Sequence, residues 1–139
     1  MYLLDTNVVS ELRKVRSGKA HASVARWAEQ TRTSELFISV VSVQELEIGV
    51  LLKERKDEAQ GRLLRTWLDQ HVLPAFADRI LPVDTAVARM SAKLHVPDPR
   101  PVRDTLIAAT ALVHGLTAVT RNLADFSPTG VSTLDPWSV

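Results

Sequence analysis

Short apolar runs alternate with helical patterns along the whole chain, and this alternation most constrains its fold. The runs are rich in Leu, Ile and Val and span residues 2–4, 36–41, 79–83, 116–119 and 131–134. Continuous apolar runs of this length are typical of parallel strands that are covered on both faces. We therefore predict a three-layer α/β/α domain on a mainly parallel sheet, with residues 131–134 as an edge strand.

Glycine and proline mark the predicted boundaries of the helices. Gly61 is expected to separate two helices, and Pro74 and Gly115 are expected to end theirs. The segment VPDPRPVRD, residues 96–104, is dense in proline and predicts an extended loop before a helix.

Length and composition exclude several classes of protein. The 139 residues fit one domain, 1–139, and no stretch approaches the roughly 20 apolar residues that cross a bilayer. No secretory signal is visible at the N-terminus, so we expect a cytoplasmic protein. Without cysteine there is no disulfide and no sulfur-ligated zinc, and a net charge of +1 argues against a strongly basic nucleic-acid binder.

Acidic residues follow the ends of the predicted strands. Because the carboxyl ends of parallel strands share one edge of the sheet, side chains placed there can meet at a crevice. The residues in question are Asp5 after the first strand, Glu45 after the second, Asp84 after the third, Asp104 at the start of the next helix, and Asn122 and Asp125 after the fourth strand.

Each of these residues also has a purely local explanation. Asp5 can cap the following helix, which stabilises it by about 1 kcal/mol, and Ser42 with Glu45 matches an S-x-x-E capping box. Asp104 suits the positive end of a helix dipole, and Asp84 is assigned as a simple cap. Asn122 and Asp125 can be ordinary turn residues.

Helix capping does not require that acids from distant segments meet in one crevice. Carboxylates brought together repel one another unless a positive charge neutralises them, and a divalent cation is the simplest one. With oxygen ligands alone the expected ion is Mg²⁺ or Mn²⁺. His21, His71, His95 and His114 form no ligand pair and are assigned to the surface or to packing.

Four motifs, LLDTNVVSEL, SVVSVQELEIGV, RDTLIAATAL and TRNLADF, occur in the order and spacing of the PIN-domain family. The chain resembles the VapC and FitB-like toxins of toxin-antitoxin pairs, and its ending GVSTLDPW is similar to the FitB-like branch. The resemblance implies a five-stranded parallel sheet and a ribonuclease that depends on Mg²⁺ or Mn²⁺. It also implies a homodimer and an antitoxin partner whose C-terminal segment blocks the acidic groove, with operator DNA bound only through the antitoxin.

By motif match, Asp5, Glu45 and Asp104 occupy the three best-defined acidic positions of the family. The fourth acidic position is open between Asn122 and Asp125, because Asn122 stands where some relatives carry aspartate. Glu11 and Glu47 match no acidic position and are expected to face solvent.

The proposed chemistry assigns a role to each candidate. Asp5 and Asp104 are the principal metal ligands, and Glu45 is a further ligand or orients the attacking water. Asp125, with Asn122, holds a water network or a second ion, and cleavage leaves a 5′-phosphate and a 3′-hydroxyl. The predicted contacts to the RNA substrate are Thr6, Thr120, Asn122, Arg100, Arg103 and Arg121. Thr6 and Thr120 can equally contact a metal-bound water or simply cap the ends of their strands, and the arginines can be solvated loop residues.

Two other functions fit the same residues. The first is a binding module with a weak site that acts with its antitoxin in a DNA-bound repressor complex, which Asn122 in place of an acid keeps open. The second is a receiver-like or phosphatase-like domain, but no lysine follows the fourth or fifth strand to contact a phosphate.

Overall fold

A five-stranded parallel sheet runs through the protein, and the computed structural model describes all of residues 1–139. The strand order is β3-β2-β1-β4-β5, and every neighbouring pair is parallel. The strands are β1 Tyr2–Leu4, β2 Leu36–Ser39, β3 Ile80–Leu81, β4 Thr117–Val119 and β5 Thr133–Leu134. The predicted parallel sheet is confirmed, and β5 lies at its edge.

Helices fill the connections between the strands. They are α1 Thr6–Leu12, α2 Ala22–Gln30, α3 Val40–Lys56, α4 Glu58–Trp67, α5 Leu73–Ala75, α6 Thr85–Leu94, α7 Val102–His114 and α8 Leu123–Phe126. A π-helical turn, Leu68–Val72, joins α4 to α5, and 3₁₀ turns occupy Thr33–Glu35 and Ser127–Thr129. None of the helices combines the length and the apolar character needed to cross a membrane.

Two adjacent residues of β1 show that helices cover both faces of the sheet. Leu3 and Leu4 are both fully buried, and their side chains point to opposite faces because side chains alternate along a strand. Leu4 packs in a core with Val8 and Val50, and Leu3 packs in a second core with Ile107 and Phe126. The three-layer arrangement follows, with α1 and α3 on one face and α7 and α8 on the other.

The prediction for Gly61 is wrong, because this glycine lies inside α4. The chain breaks instead at Asp57, which follows α3 and caps α4 by accepting a hydrogen bond of 3.1 Å from the Gln60 backbone. A Cβ atom at Gly61 would lie only 2.6 Å from Cα of Glu54 in α3. Glycine is therefore needed there for the close approach of two helices.

The predicted helix ends at Gly115 and Pro74 are close to those observed. Gly115 follows α7 in the left-handed conformation, with φ of 66°, which glycine adopts without strain. Pro74 lies in the last short helix of its segment, which ends at Ala75. Between α6 and α7 the chain has no helix or strand over residues 95–101, as its prolines predict.

The order of the strands creates a crevice between β1 and β4. The chain moves from β1 outward to β2 and β3, and it later returns to the other side of β1 to form β4 and β5. In open parallel sheets the ligand site forms outside the carboxyl ends of the strands at such a reversal. Residues that directly follow β1 and β4 therefore face the same crevice.

Candidate active site

Asp5 directly follows β1, and both of its carboxylate oxygens are held by hydrogen bonds. Oδ1 accepts from the Thr6 backbone at 2.8 Å, which makes Asp5 the N-cap of α1. Oδ2 accepts from the Thr120 hydroxyl at 2.8 Å and from the Asn7 amide at 3.3 Å. The residue is only 6% exposed. The two explanations of Asp5 are thus compatible, since one oxygen caps the helix while the other faces the end of β4.

Thr120 does not fit its predicted contact with the substrate, because it is fully buried. Its hydroxyl donates to Asp5 and accepts a hydrogen bond of 3.0 Å from the Asn122 backbone. Thr120 therefore connects the end of β4 to Asp5 rather than to a ligand.

Glu45 lies in α3 and reaches across to α1. Its Oε1 accepts a hydrogen bond of 2.6 Å from the hydroxyl of Thr6, which also lies 2.9 Å from Ser42 Oγ. The predicted capping box is wrong, because α3 begins earlier and Ser39 is its N-cap. Glu45 is therefore not needed to cap its helix, and its carboxylate is directed toward the crevice.

Asp104 lies in the first turn of α7, where the proline-dense loop delivers it to the same edge of the sheet. It is partly exposed and, in contrast to Asp5, its carboxylate has no hydrogen-bond partner. The neighbouring Arg103 extends toward α3, with Nη1 at 3.5 Å from Glu45 Oε2. An arginine thus lies at the rim of the acidic site.

Seven side chains line one open cleft of about 310 Å³, and none of them is hydrophobic. They include the three predicted acids, Asp5, Glu45 and Asp104, together with Thr6 and Asn122. Asn7 and Ser10 complete the lining and were missed from the sequence. Their signal is nevertheless visible, because Ser10 lies four residues after Thr6 and three after Asn7, which places all three on one side of a helix.

The remaining predicted residues do not line the cleft. Asp125 is exposed on α8, and Asp84 caps α6 by accepting a hydrogen bond of 3.0 Å from Val87, as expected. Arg121 is stacked on Trp137, with its guanidinium 5.1 Å from the ring centre. The Arg100 side chain donates to the Leu94 carbonyl at 3.1 Å, so its prediction as an RNA contact is not supported by its position.

Glu11 and Glu47 were expected to face solvent, but both have protein partners. Glu11 accepts a hydrogen bond of 2.8 Å from the His21 backbone and pairs with Lys14. Glu47 forms a two-point ion pair with Arg65, which also contacts Glu54. Neither glutamate belongs to the cleft.

The electrostatics of the cleft disfavour charge on Asp5 and Asp104. Burial raises the pKa of Asp5, hydrogen bonds from Thr120 and Thr6 oppose this shift, and repulsion from Glu45 and Asp125 adds to it. The pKa of Asp104 is likewise raised by burial first and then by repulsion from Asp5, Asp125 and Glu45. Asp125 therefore acts on the site by its charge although it lies outside the lining.

The side chains of the cleft suit a hard divalent cation, because every one of their donor atoms is oxygen or amide. Asn7 Oδ1 is buried without any hydrogen-bond partner, which leaves an acceptor beside Asp5. No group of three or more Asp, Glu, His or Cys side chains is placed so that it could hold an ion by itself. One or two carboxylates with water are the usual way in which Mg²⁺ is held, and the ligand set Asp5, Glu45 and Asp104 stays a prediction.

Comparison with known proteins places this site in a family. The PIN domain model matches residues 2–128. Toxin FitB of Neisseria gonorrhoeae is 37% identical, and the match covers 99% of both chains. VapC ribonuclease Y4jK of Sinorhizobium fredii is 34% identical over 99% of this chain and 98% of its own.

Solved structures agree with the sequence matches. The crystal structure of FitAcB from Neisseria gonorrhoeae has a chain with a TM-score of 0.90 and 33% identity, and the match covers both chains completely. The structure of FitAB bound to an IR36 DNA fragment gives a TM-score of 0.86 at 31% identity, over 100% of this chain and 97% of that one. With the family model, the full-length relatives and the fold in agreement, this chain belongs to the PIN domain family.

Proposed function

We propose that this protein is the toxin of a toxin-antitoxin pair and that it acts as a metal-dependent endoribonuclease. The observation that carries the proposal is the cleft at the β1–β4 crevice, where three carboxylates meet and the folded protein raises the pKa of two of them. The full-length relatives named toxin FitB and VapC ribonuclease support the toxin and the ribonuclease in this proposal, and the metal dependence rests on the chemistry of the cleft.

A divalent ion, Mg²⁺ or Mn²⁺, is the cofactor in this proposal. Asp5 and Asp104 are its principal ligands in this proposal, directly or through water, and Glu45 is the third acid that lines the same cleft. Such an ion supplies a Lewis acid that activates water and offsets the charge that develops on the phosphoryl group. The ion would also offset the burial and the mutual repulsion that raise the pKa of Asp5 and Asp104.

The protein contributes position and proton acceptance to the reaction. Thr120 and the Thr6 backbone fix the orientation of Asp5, and the Thr6 hydroxyl holds one oxygen of Glu45. The second oxygen of Glu45 accepts no hydrogen bond but lies 3.5 Å from Arg103 Nη1. It would orient a water molecule and accept its proton once Arg103 turns toward the RNA. Attack by this water on phosphorus forms a new P–O bond and breaks the bond to the 3′-oxygen, which takes up a proton from solvent. The products are a 5′-phosphate and a 3′-hydroxyl.

Binding of RNA near so many carboxylates requires cations at the rim of the cleft. Arg103 is the best placed, because its guanidinium already lies 3.5 Å from Glu45 Oε2 and half of its side chain is exposed. Arg121 is exposed in the segment that joins β4 to Asn122. Asn122 lines the cleft, and its amide can donate to a phosphate oxygen. Thr6 also lines the cleft, but its hydroxyl donates to Glu45, so it would reach a phosphate only by releasing that contact.

The proposed partners follow from the family. An antitoxin segment that brings an arginine to the acidic cleft would form charge-assisted hydrogen bonds with its carboxylates. We extend the proposal to a homodimer that acts in the cytoplasm and reaches operator DNA only through the antitoxin. The solved structures of FitAcB and of FitAB on a DNA fragment support the antitoxin and the operator DNA, and the homodimer rests on the family resemblance.

Incubation of antitoxin-free protein with total RNA and Mg²⁺ or Mn²⁺ tests the proposal. The wild type should cut RNA and leave 5′-phosphate ends, and EDTA should stop the reaction. Asp5→Asn should abolish cleavage, whereas Glu29→Gln, which changes an exposed acid on α2, should leave it intact. Cleavage that persists in Asp5→Asn would contradict the proposed site.

The second candidate function is a PIN-fold binding module with a weak site. It is favoured by Asn122, which brings an amide rather than a carboxylate to the cleft, and by Arg103, whose charge already lies beside Glu45. A wild type that cuts no RNA at any metal concentration but binds its antitoxin and operator DNA would favour this module.

A further inference from the structure

We propose that His95 is a positioning residue that holds the start of α7, and with it Asp104 and Arg103, over the cleft. The inference rests on the function proposed above for those two residues. His95 follows α6, ten residues before Thr105, and it lies outside the cleft. Its sequence assignment as a surface or packing histidine is therefore replaced by a specific hydrogen-bonding role.

The hydroxyl of Thr105 is the centre of a saturated hydrogen-bond network. Thr105 is 1% exposed, and its Oγ1 donates to the Val102 carbonyl at 2.8 Å. The same oxygen accepts from Ser91 Oγ at 3.2 Å and lies 3.0 Å from His95 Nε2. A hydroxyl has one hydrogen and two acceptor positions, so His95 must be the donor in this last contact.

The other ring nitrogen of His95 forms a hydrogen bond with the backbone of the proline-dense loop. Nδ1 accepts from the Arg100 backbone at 3.1 Å, which agrees with a neutral ring that carries its hydrogen on Nε2. The Arg100 side chain donates a hydrogen bond of 3.1 Å from Nε to the Leu94 carbonyl. One imidazole thus bridges the loop of residues 96–101 to the first turn of α7.

This bridge matters because Asp104 has no hydrogen bond of its own to fix it. Pro101, the N-cap of α7, offers no side-chain capping bond. Asp5, by contrast, is held by three hydrogen bonds at the opposite side of the cleft. The position of Asp104 therefore depends on where α7 begins, and the network through Ser91, His95 and Thr105 determines that point.

Four variants separate positioning from general stability. His95→Ala removes both contacts of the ring. His95→Gln can keep the donor to Thr105, because its amide nitrogen lies as many bonds from Cβ as Nε2 does, whereas His95→Asn can keep the acceptor for Arg100. His114→Ala is the matched control, since His114 is exposed at the far end of α7 and forms no hydrogen bond through its ring.

The primary measurement is Mn²⁺ affinity by calorimetry in the absence of RNA, and the second is amide hydrogen exchange over residues 96–105. We expect His95→Ala to weaken Mn²⁺ binding by about threefold to tenfold, at or below the cost of losing an outer partner of a metal ligand. Exchange of the Arg100 and Thr105 amides should accelerate. Compared with His95→Ala, His95→Gln should recover most of the Mn²⁺ affinity, and His95→Asn should show slower exchange at the Arg100 amide. His114→Ala should match the wild type in both measurements.

The outcomes distinguish this inference from the proposed function. If folded His95→Ala cuts RNA, binds Mn²⁺ and exchanges its amide hydrogens as the wild type does, the positioning role is wrong and the proposed nuclease is unaffected. A wild type that neither cuts RNA nor binds Mn²⁺ would remove the nuclease, and exchange at Arg100 and Thr105 would still decide whether His95 holds the loop. If His95→Ala does not fold, the same comparison is made between His95→Gln, His95→Asn and the wild type.

Discussion

The protein contains two clusters of acidic side chains, and they are opposite in their electrostatics. In the cleft, burial and mutual repulsion raise the pKa of Asp5 and Asp104. On the outer side of α3 and α4, Glu47 binds Arg65 at 3.0 Å and 2.5 Å, and this arginine lowers the pKa of Glu47. Glu54 and Asp69 also lie within 3.5 Å of the same guanidinium.

The difference separates acids whose charge is matched inside the folded protein from acids whose charge is not. The Arg65 cluster carries its own cation, so its carboxylates are satisfied within the folded protein. The cleft has only Arg103, which lies at the rim and is half exposed. Acids held together without a matching internal cation are suited to a cation from outside, which is the physical basis of the proposed metal site.

Glu45 and Glu47 give the sharpest test, because they are two residues apart on α3 and belong to different clusters. We expect Glu45→Gln to lower kcat for RNA cleavage by on the order of a hundredfold, the upper range for a group that tunes a metal site. Glu47→Gln should retain activity and reduce only stability, since it weakens the ion pair with Arg65. Single-turnover cleavage assays and urea unfolding measure both effects, and equal loss of activity in the two variants would erase the distinction.

Gly61→Ala should perturb the contact between α3 and α4, near the ion pairs of Arg65, without changing a residue of the cleft. The added Cβ would meet the Glu54 backbone at 2.6 Å and force α3 and α4 apart. Overpacking of this kind costs about 2 kcal/mol of unfolding free energy. Thermal unfolding should show the loss while kcat at a permissive temperature stays near that of the wild type. Gly49→Ala is the control, because a Cβ there meets nothing within 4 Å.

Metal binding should stabilise the protein through the cleft alone. At a concentration ten times its Kd, an ion that binds only the folded state adds about 1.4 kcal/mol to the free energy of unfolding. Mg²⁺ or Mn²⁺ should therefore raise the Tm of the wild type and of Glu47→Gln. Asp5→Asn should show no such rise, and stabilisation that survives this substitution would locate the ion elsewhere.

Asp104→Asn should stabilise the protein at neutral pH while it impairs cleavage. The folded protein raises the pKa of Asp104 above its ordinary value of 3.8, so the charged carboxylate destabilises the folded state. This destabilisation is absent below pH 3.8 and develops as the pH rises through the folded-state pKa. Removal of the charge should add less than about 1 kcal/mol to the free energy of unfolding at pH 7, since the group is partly exposed.

Glu47 should show the opposite pH dependence. Its pKa is lowered below 4.5, so it stabilises the folded protein above that pH, and this stabilisation is lost as the pH falls through its folded-state pKa. Urea unfolding at neutral and acid pH should show the gain in Asp104→Asn disappear at acid pH, together with the loss in Glu47→Gln.

Much of the fold and part of the cleft could be predicted from the sequence. All five strands lie within predicted apolar runs, because buried parallel strands leave a continuous hydrophobic signal. Asp5, Glu45 and Asp104 line one cleft because parallel strands bring their carboxyl ends to one edge. Their catalytic roles stay predictions.

The errors came from contacts that no local pattern records. Gly61 was assigned to a break because the approach of α3 to α4 is not visible in either helix alone. Thr120 is buried, and its hydroxyl donates to Asp5, which lies 115 positions away in the chain. The role of His95 likewise depends on where Ser91 and Thr105 meet it. Capping at Ser42 failed for a local reason, since α3 starts one turn earlier at Ser39.

The central place of β1 in the sheet has a consequence for how the protein is made. β1 is synthesised first, but its neighbour β4 and the Thr120 that holds Asp5 come from the last fifth of the chain. A growing or prematurely terminated polypeptide therefore has an open edge beside its first strand and an incomplete cleft. The two walls of the crevice thus come from segments far apart in the chain, and the cleft cannot form until β4 and Thr120 have joined β1.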